Sequence, residues 1–150
     1  MNWELRSVSN ADKEFLFELH RLALGPYIAL TWGWDEDWQR GHFDRAFPTA
    51  NWKLLFVDEC RAGAVRTSDT DRELYLEDIL ILPGFQRRGL GSAVILSLFR
   101  EAASSGRTVG LQVLKVNPAI HLYTRLGFVV VGEDDVHVRM RSSPADTPHL

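Results

Sequence analysis

The 150-residue sequence predicts an α/β fold of the α+β type, built on a mixed and mostly antiparallel central sheet. Three observations support this class. Strand-like segments in the middle of the chain follow one another with short polar turns, which is typical of an antiparallel meander. The third of these segments leads through a glycine-rich turn into a helix-like run, Ser92 to Ala103. Another buried strand follows that run, and a crossover of this kind favours parallel pairing.

The first half of the chain predicts one strand and two helices. Apolar and polar residues alternate over Trp3 to Val8, as in a half-buried strand. The segment Ser9 to Asp12 offers a capping box, and the apolar spacing after it predicts a helix that ends at Gly25-Pro26. Asp35 to Phe47 predicts a second helix, with Asp35 as its N-cap and acidic residues in its first turn.

The middle strands are predicted over Trp52 to Val57, Ala62 to Thr67 and Leu74 to Leu82. The chain has one cysteine, Cys60, in the predicted hairpin turn from Asp58 to Gly63. A single cysteine cannot form an internal disulfide, and no positioned histidine is evident beside it. A structural role for Cys60 is therefore favoured over a catalytic thiol.

The second half of the chain completes the predicted sheet. Thr108 to Val116 is predicted to be a buried strand, and Asn117-Pro118 opens a short helix with Asn117 as its N-cap. This helix carries Tyr123 and ends at Gly127, a C-cap glycine. The last two strands form a hairpin and are predicted over Phe128 to Gly132 and Val136 to Arg141.

The composition indicates an ordinary soluble protein, with 45% hydrophobic and 25% charged residues. We expect one domain over residues 1–141 and a mobile polar tail over residues 142–150. No segment approaches the ~18 apolar residues that cross a bilayer, and the N-terminus lacks a signal-sequence pattern, so a cytoplasmic location away from membranes is the default. The net charge of −3 argues against a nucleic-acid partner bound through a broad basic surface.

The most informative segment is Gln86-Arg87-Arg88-Gly89-Leu90-Gly91, which lies between a predicted strand and a predicted helix. The first turn of a helix has N–H groups without partners, and the helix dipole adds partial positive charge there. Such a position favours a bound phosphate, and glycines without Cβ atoms let it approach the backbone. Glycines at a strand end also serve ordinary turns, so this loop alone leaves both interpretations open.

With the segments around it, the loop resembles the GNAT superfamily, the GCN5-related N-acetyltransferases. The loop matches the Q/R-x-x-G-x-G/A pattern of that family, and the similarity covers roughly Leu74 to Met140. The resemblance implies the GNAT fold, with helices on both faces of the sheet, and an acetyl-CoA-dependent N-acetyltransferase. The second signature, N-x-x-A-x-x-L-Y-x-x-x-G-F, appears approximately, because its alanine and the residues after it come one place early relative to the asparagine. The matching residues are Asn117, Ala119, Leu122, Tyr123, Gly127 and Phe128.

The resemblance also implies how acetyl-CoA binds as the co-substrate. The backbone of Ile79, Leu80 and Ile81 would bond the acetyl carbonyl and the pantetheine arm. No group of His, Cys and Asp residues has metal-ligand spacing, and acetyl transfer from a thioester needs no metal, so we expect no metal site. The other implied cofactor-binding residues are Gln86, Arg87, Arg88, Gly89, Leu90, Gly91, Ser92, Asn117 and Tyr123.

Acetyl transfer requires a neutral amine, stabilisation of the oxyanion and protonation of the leaving thiolate. The resemblance makes Tyr123 the candidate general acid, although a tyrosine at this position could also serve packing alone. Glu77 is the candidate general base. Asp78 lies on the opposite face of the predicted strand and is the alternative, and either residue could instead be a surface or salt-bridged carboxylate.

Aromatic and acidic residues between the two early helices lie where the resemblance implies the acceptor side of the cleft. They suit a small cationic amine, or a peptide or protein amine. The alternative is that the tryptophans pack against the sheet and the acidic residues cap a helix. A non-catalytic acyl-CoA sensor is the alternative function, and homodimer formation stays open. The candidate substrate-binding residues are Tyr27, Trp32, Trp34 and Asp35.

Overall fold

The computed structural model describes residues 2–142, and over these residues it has four α-helices and seven strands. Their order confirms the predicted α/β fold class. No helix in the described part of the chain is long and apolar enough to cross a membrane. The elements are β1 (Trp3–Ser7), α1 (Lys13–Thr31), α2 (Glu36–Ala46), β2 (Asn51–Val57), β3 (Cys60–Asp69), β4 (Glu73–Ile81), α3 (Leu90–Ser104), β5 (Thr108–Leu114), α4 (Ala119–Arg125), β6 (Val129–Glu133) and β7 (His137–Arg141).

The strands form one sheet in the order β1-β2-β3-β4-β5-β7-β6. β4 and β5 pair in parallel, with Glu73 opposite Thr108 and Leu76 opposite Leu111, as the crossover through α3 predicts. The pairs β1–β2, β2–β3, β5–β7 and β6–β7 are antiparallel. The mostly antiparallel character of the predicted sheet is confirmed.

Contacts divide the chain into two compact units, and each unit is made of two chain segments. The first unit comprises residues 2–67 and Asp78–Arg88, and the second comprises Ser68–Glu77 and, within the described chain, residues 89–142. The single domain expected over residues 1–141 stays a prediction. The expected tail over residues 142–150 lies outside the described residues except for Ser142, which is buried and accepts a hydrogen bond from the Val109 amide at 2.9 Å.

The core of the first unit joins helices α1 and α2 to the strands of that unit. Most of its side chains are large and apolar, and each of the large ones contributes roughly 1.5–3 kcal/mol by leaving water. The apolar residues of α1 recur at helical spacing, which turns one face of that helix into the core. The buried members of this core are Leu16, Phe17, Leu19, Phe43, Trp52, Leu54, Ala64 and Leu80.

Helix α1 is longer than the sequence predicts. The prediction that it ends at Gly25-Pro26 is wrong, because α1 continues to Thr31 with Pro26 inside it. A proline in a helix interior removes one N–H donor and costs about 3 kcal/mol. Burial on both sides of the proline helps to offset this cost, because Gly25 and Ile28 are both buried.

The predicted capping signals of the first unit are confirmed. The Ser9 amide donates to Asp12 Oδ2 at 2.9 Å, which forms the capping box of a short 3₁₀ turn before α1. Asp35 Oδ1 accepts a hydrogen bond from the Trp38 amide at 3.0 Å at the start of α2. The 3₁₀ turn that leads into α1 and the first turn of α2 therefore begin at the polar residues that the sequence places there.

Helix α4 begins later than the sequence predicts and ends where it predicts. Pro118, expected inside the helix, is its N-cap, and Asn117 Oδ1 accepts from the Ala119 amide at 2.9 Å. At the other end Gly127 has φ 103°, and the Phe128 amide donates to the Tyr123 carbonyl at 3.0 Å. These features form a Schellman motif, which requires a residue that tolerates positive φ.

The core of the second unit lies between α3 and β5. Phe99 of α3 contacts Phe128, with ring centroids 5.3 Å apart. Alternation places Gln112 on the opposite face of β5 from buried Leu111 and Val113. The buried residues of α3 are Leu90, Val94, Ile95, Leu98, Phe99 and Ala102.

Candidate functional site

The loop between β4 and α3 has the backbone of an anion-binding turn. Arg87 and Gly89 lie in the left-handed region, with φ 61° and 78°, whereas Arg88 between them does not. Alternation of this kind turns successive N–H groups toward one side of the chain. Glycine adopts the left-handed conformation freely, but at Arg87 it costs about 1–2 kcal/mol. Backbone strain of this kind is concentrated at functional sites.

Helix α3 presents unsatisfied donors after this loop. Gly89 is its N-cap, and within the described chain no side chain caps it. Because the first bond inside the helix runs from the Ala93 amide to the Gly89 carbonyl at 3.0 Å, the N–H groups of Leu90, Gly91 and Ser92 have no partner within the helix. A Cβ on Gly89 would meet no atom within 4 Å, so the backbone there is open to a phosphate-sized anion.

Gln86, the first residue of the loop, is exposed, and its side chain and its backbone each donate to a nearby backbone carbonyl. Its side-chain Nε2 donates to the Ile81 carbonyl at 2.9 Å, and its backbone N–H donates to the Pro83 carbonyl at 3.3 Å. Arg87 and Arg88 are exposed, and the Arg88 guanidinium lies 5.4 Å from the centroid of the Phe85 ring. The structure thus ties the start of the loop to the end of β4 and leaves the two arginines toward solvent.

The end of β4 is held against β3 within the first unit. Arg66 Nε donates to Asp78 Oδ2 at 2.7 Å, and only 13% of the Asp78 side chain is exposed. Asp78, the alternative base, is therefore the anionic half of a largely buried ion pair. Leu80 is buried, while Ile79 and Ile81 on either side of it are half-buried.

Glycine at position 63 allows an unusually close approach of these two strands. A Cβ at Gly63 would lie 2.1 Å from the Leu80 carbonyl oxygen. Next to this point the Leu82 amide donates to the Ala62 carbonyl at 2.8 Å. The backbone from Leu80 to Leu82 is therefore placed by direct backbone contact with β3.

The candidate base Glu77 lies in the second unit and accepts a hydrogen bond from Ser68 Oγ at 3.0 Å. Tyr75 lies two positions earlier on the same face of β4. Burial raises the pKa of the Tyr75 phenol, and the Glu77 and Glu73 carboxylates raise it further, while Arg139 acts in the opposite direction. Tyr75 is absent from the sequence-predicted site, although the period-two spacing of Tyr75 and Glu77 is a visible signal.

The candidate acid Tyr123 lies on α4 and is 8% exposed. Its ring packs edge-on against Phe128, with centroids 5.7 Å apart and an interplanar angle of 66°. Asn117, also predicted to contact the cofactor, uses its side-chain oxygen to cap the first turn of α4. The second unit thus fixes the helix that carries Tyr123 at both of its ends.

The four acceptor candidates have different surroundings in the first unit. Trp34 packs near Phe17 and His20, with ring centroids 6.4 and 5.7 Å away, and its Nε1 donates to Glu36 at 3.0 Å. Asp35 caps α2. Packing and capping therefore occupy both residues. Trp32 is 61% exposed at the end of α1, and Tyr27 is half-buried on the same helix, so these two present aromatic surface.

Two further features concern metal and thiol chemistry. Over residues 2–142 no group of three or more His, Cys, Asp or Glu side chains could hold a metal ion. Cys60 is exposed as the first residue of β3, directly after a turn in which Asp58 and Glu59 both have positive φ.

Comparisons with known proteins point to one family. A family model described as "Acetyltransferase (GNAT) family" matches residues 14–128. Streptothricin acetyltransferase of Streptomyces lavendulae is 40% identical over 78 residues, which cover 48% of this chain and 39% of that protein. The matched segment thus spans less than half the length of this relative.

Two solved acetyltransferase structures are similar to this chain. The PaiA N-acetyltransferase from Thermoplasma acidophilum, solved in complex with coenzyme A, has a TM-score of 0.73 and 18% identity. That likeness covers 95% of this chain and 99% of the other, and at this identity it establishes the fold alone. A nourseothricin acetyltransferase is 29% identical with a TM-score of 0.56, over 64% of this chain and 66% of the other.

Proposed function

Because the chain belongs to the GNAT family of acetyltransferases, we propose that it moves an acetyl group from acetyl-CoA to a primary amine, with both substrates bound together. The observation that carries the proposal is the uncapped N-terminus of α3 behind a loop whose φ angles alternate in sign at Arg87 and Gly89. This geometry suits the pyrophosphate of a CoA thioester.

Backbone amides and charged side chains both contribute to cofactor binding. The amides from Arg87 to Ser92 bind the pyrophosphate, and the exposed guanidinium groups of Arg87 and Arg88 attract it over a longer range. The backbone of Ile79 to Ile81 binds the acetyl carbonyl and the pantetheine arm. Preorganised amides stabilise developing negative charge on a carbonyl oxygen at little reorganisation cost. Asn117 contributes by capping the helix that carries Tyr123.

The transfer step uses two ionisable side chains. Glu77 accepts the proton of the ammonium form of the acceptor through a water molecule, which frees the nitrogen lone pair for attack on the thioester carbonyl. The C–N bond forms as the C–S bond breaks, and the acylated nitrogen then releases its second proton to solvent, to which Glu77 also returns the first. Tyr123 donates its phenolic proton to the departing thiolate and recovers a proton from solvent before the next turnover. The scheme requires no metal ion.

The proposed acceptor is a small cationic amine. The relative named streptothricin acetyltransferase supports this class, as does aromatic surface at exposed Trp32 and half-buried Tyr27. A cation over an aromatic face gains about 0.5–2 kcal/mol. Trp34 and Asp35 serve the same region by packing and capping.

A calorimetric titration of the protein with acetyl-CoA, followed by thiol-release assays, tests the proposal. The assays use streptothricin, spermidine and a short alanine-terminated peptide, and turnover of the first or second of these is the expected result. Micromolar binding without turnover of any amine would favour the acyl-CoA sensor. Preference for the peptide would mean that the acceptor is a peptide or protein amine and not a small cationic amine. Absence of acetyl-CoA binding would refute the transferase.

Tyr123→Phe is expected to lower kcat by about 10²-fold while acetyl-CoA affinity changes by less than about 3-fold, because only the proton donor is lost. The phenyl ring keeps its packing against Phe128. A kcat for Tyr123→Phe equal to that of the wild-type protein would remove Tyr123 from the mechanism.

Glu77→Gln is expected to move the acidic limb of kcat/KM to higher pH, toward about 10, where a free alkylamine loses its own proton. The measurement is a pH–rate profile with a saturating concentration of acetyl-CoA. Asp78→Asn is the comparison, and its acidic limb should stay in the wild-type position. If only Asp78→Asn moves the limb, the base is Asp78.

A further inference from the structure

The backbone that leads into the glycine loop is held at several points within the first unit. Arg66 binds Asp78 at one end of this segment, and Gln86 binds the Ile81 carbonyl at the other. We propose that Gln86 is a positioning residue: it orients the acyl-binding backbone of Ile79 to Ile81 and does not itself contact acetyl-CoA. This inference rests on the proposed function, which assigns the acetyl group to that backbone.

The peptide group between Ile81 and Leu82 is bonded on both of its polar atoms. Its carbonyl oxygen accepts from Gln86 Nε2 at 2.9 Å, and its N–H donates to the Ala62 carbonyl at 2.8 Å. Two bonds in different directions fix the rotation of a planar peptide group. The N–H of this peptide group thus bonds to β3, whereas its carbonyl takes its donor from a side chain.

The bond from Gln86 also couples the loop to the strand. Ile81 and Gln86 enclose the short 3₁₀ turn Pro83–Phe85, so the bond closes a loop of a few residues. The start of the loop between β4 and α3 is therefore held at a fixed distance from the end of the Ile79 to Ile81 backbone. A substrate that carries a pyrophosphate and a thioester on one flexible arm needs both contacts at a constant distance.

The Arg66–Asp78 ion pair holds the opposite end of the segment, just before Ile79. The Arg66 guanidinium lies 5.5 Å from the centroid of the buried Trp52 ring, so the pair is supported by the core of the first unit. A paired and mostly buried carboxylate resists displacement, because separating the charges would leave one of them buried without a partner. Asp78 thereby orients the backbone that follows it.

Gln86→Met tests the proposal, because methionine has a similar length and no donor. The expected result is a kcat lower by about 10-fold with an acetyl-CoA Kd within about 3-fold of wild type, since a displaced reacting group costs rate more than binding. Hydrogen exchange of the Leu82 amide should accelerate by at least about 10-fold. Gln86→Arg retains N–H donors at this position and should recover most of the kcat and the exchange protection.

Three outcomes would overturn the positioning role. One is wild-type kcat and wild-type exchange in Gln86→Met. Another is a loss of acetyl-CoA affinity in Gln86→Met that accounts for the whole loss of activity, which would indicate direct contact with the cofactor. The third is failure of Gln86→Arg to recover more than Gln86→Met. If the wild-type protein acetylates no amine, the proposed function fails, while the exchange rate of Leu82 still reports whether Gln86 holds the backbone.

Discussion

Gly63→Ala is expected to destabilise the protein by about 3 kcal/mol or more, one of the largest effects of a single methyl group in this chain. The added Cβ would lie 2.1 Å from the Leu80 oxygen and 3.1 Å from the Ile81 Cα. Both atoms belong to the backbone, so no rotamer change relieves the overlap. The strands must move apart, which weakens the bond from the Leu82 amide to Ala62. Urea unfolding measures the loss, and about 3 kcal/mol corresponds to a fall in Tm of roughly 6–12 °C.

Gly84→Ala is the matched control for this prediction. Gly84 lies in the same unit, and a Cβ there would meet no atom within 4 Å. Its φ lies outside the left-handed region, so alanine fits without strain and changes stability by no more than about 1 kcal/mol. Equal stabilities for the two variants would mean that β3 and β4 do not approach as closely as described.

Gly91→Asp is expected to weaken acetyl-CoA binding by at least about 100-fold, or about 2.7 kcal/mol. Gly91 is the second residue of α3, within the turn whose N–H groups lack partners. A carboxylate at this position accepts those N–H groups itself and repels the pyrophosphate. Calorimetric titration of the purified variant with acetyl-CoA measures the change.

The effect of Gly91→Asp on the unliganded protein has the opposite sign. Aspartate near a helix N-terminus stabilises the helix by about 0.3–1 kcal/mol, and replacing a helical glycine adds a similar gain. If Gly91→Asp is more stable than the wild type and yet does not bind acetyl-CoA, the loss of binding comes from a blocked site and not from misfolding. Ala103→Asp adds the same charge in the exposed last turn of α3 and should leave binding within about 2-fold, because screening weakens distant charges. Wild-type affinity in Gly91→Asp would place the pyrophosphate elsewhere.

The features that could be predicted from the sequence are those with local causes. Asp35 caps α2 through an amide three residues away, and Gly127 ends α4 through bonds within one turn. Pro26 is an exception among the local signals, and the start of α4 is another. A proline usually ends a helix, but burial of Ile28 helps to offset its local cost, and burial depends on residues far away in the chain.

The candidate site likewise has some features with local causes and others that depend on residues far apart in the chain. The glycine loop was predictable because its chemistry resides in consecutive residues. The ion pair between Arg66 and Asp78 and the close approach at Gly63 depend on how β3 meets β4, and the sequence of either strand alone does not determine that register. For Trp34 the sequence left a ligand cage and core packing open, since the same side chain suits both roles.

The division into two units has a consequence for synthesis of the chain on the ribosome. The chain passes from one unit to the other after Thr67, after Glu77 and after Arg88, so neither unit is a continuous stretch. A nascent chain that ends at Thr67 still lacks Leu80, a buried member of the first core. The core of the first unit is therefore incomplete until Leu80 has emerged, so the first 67 residues alone cannot form it in full.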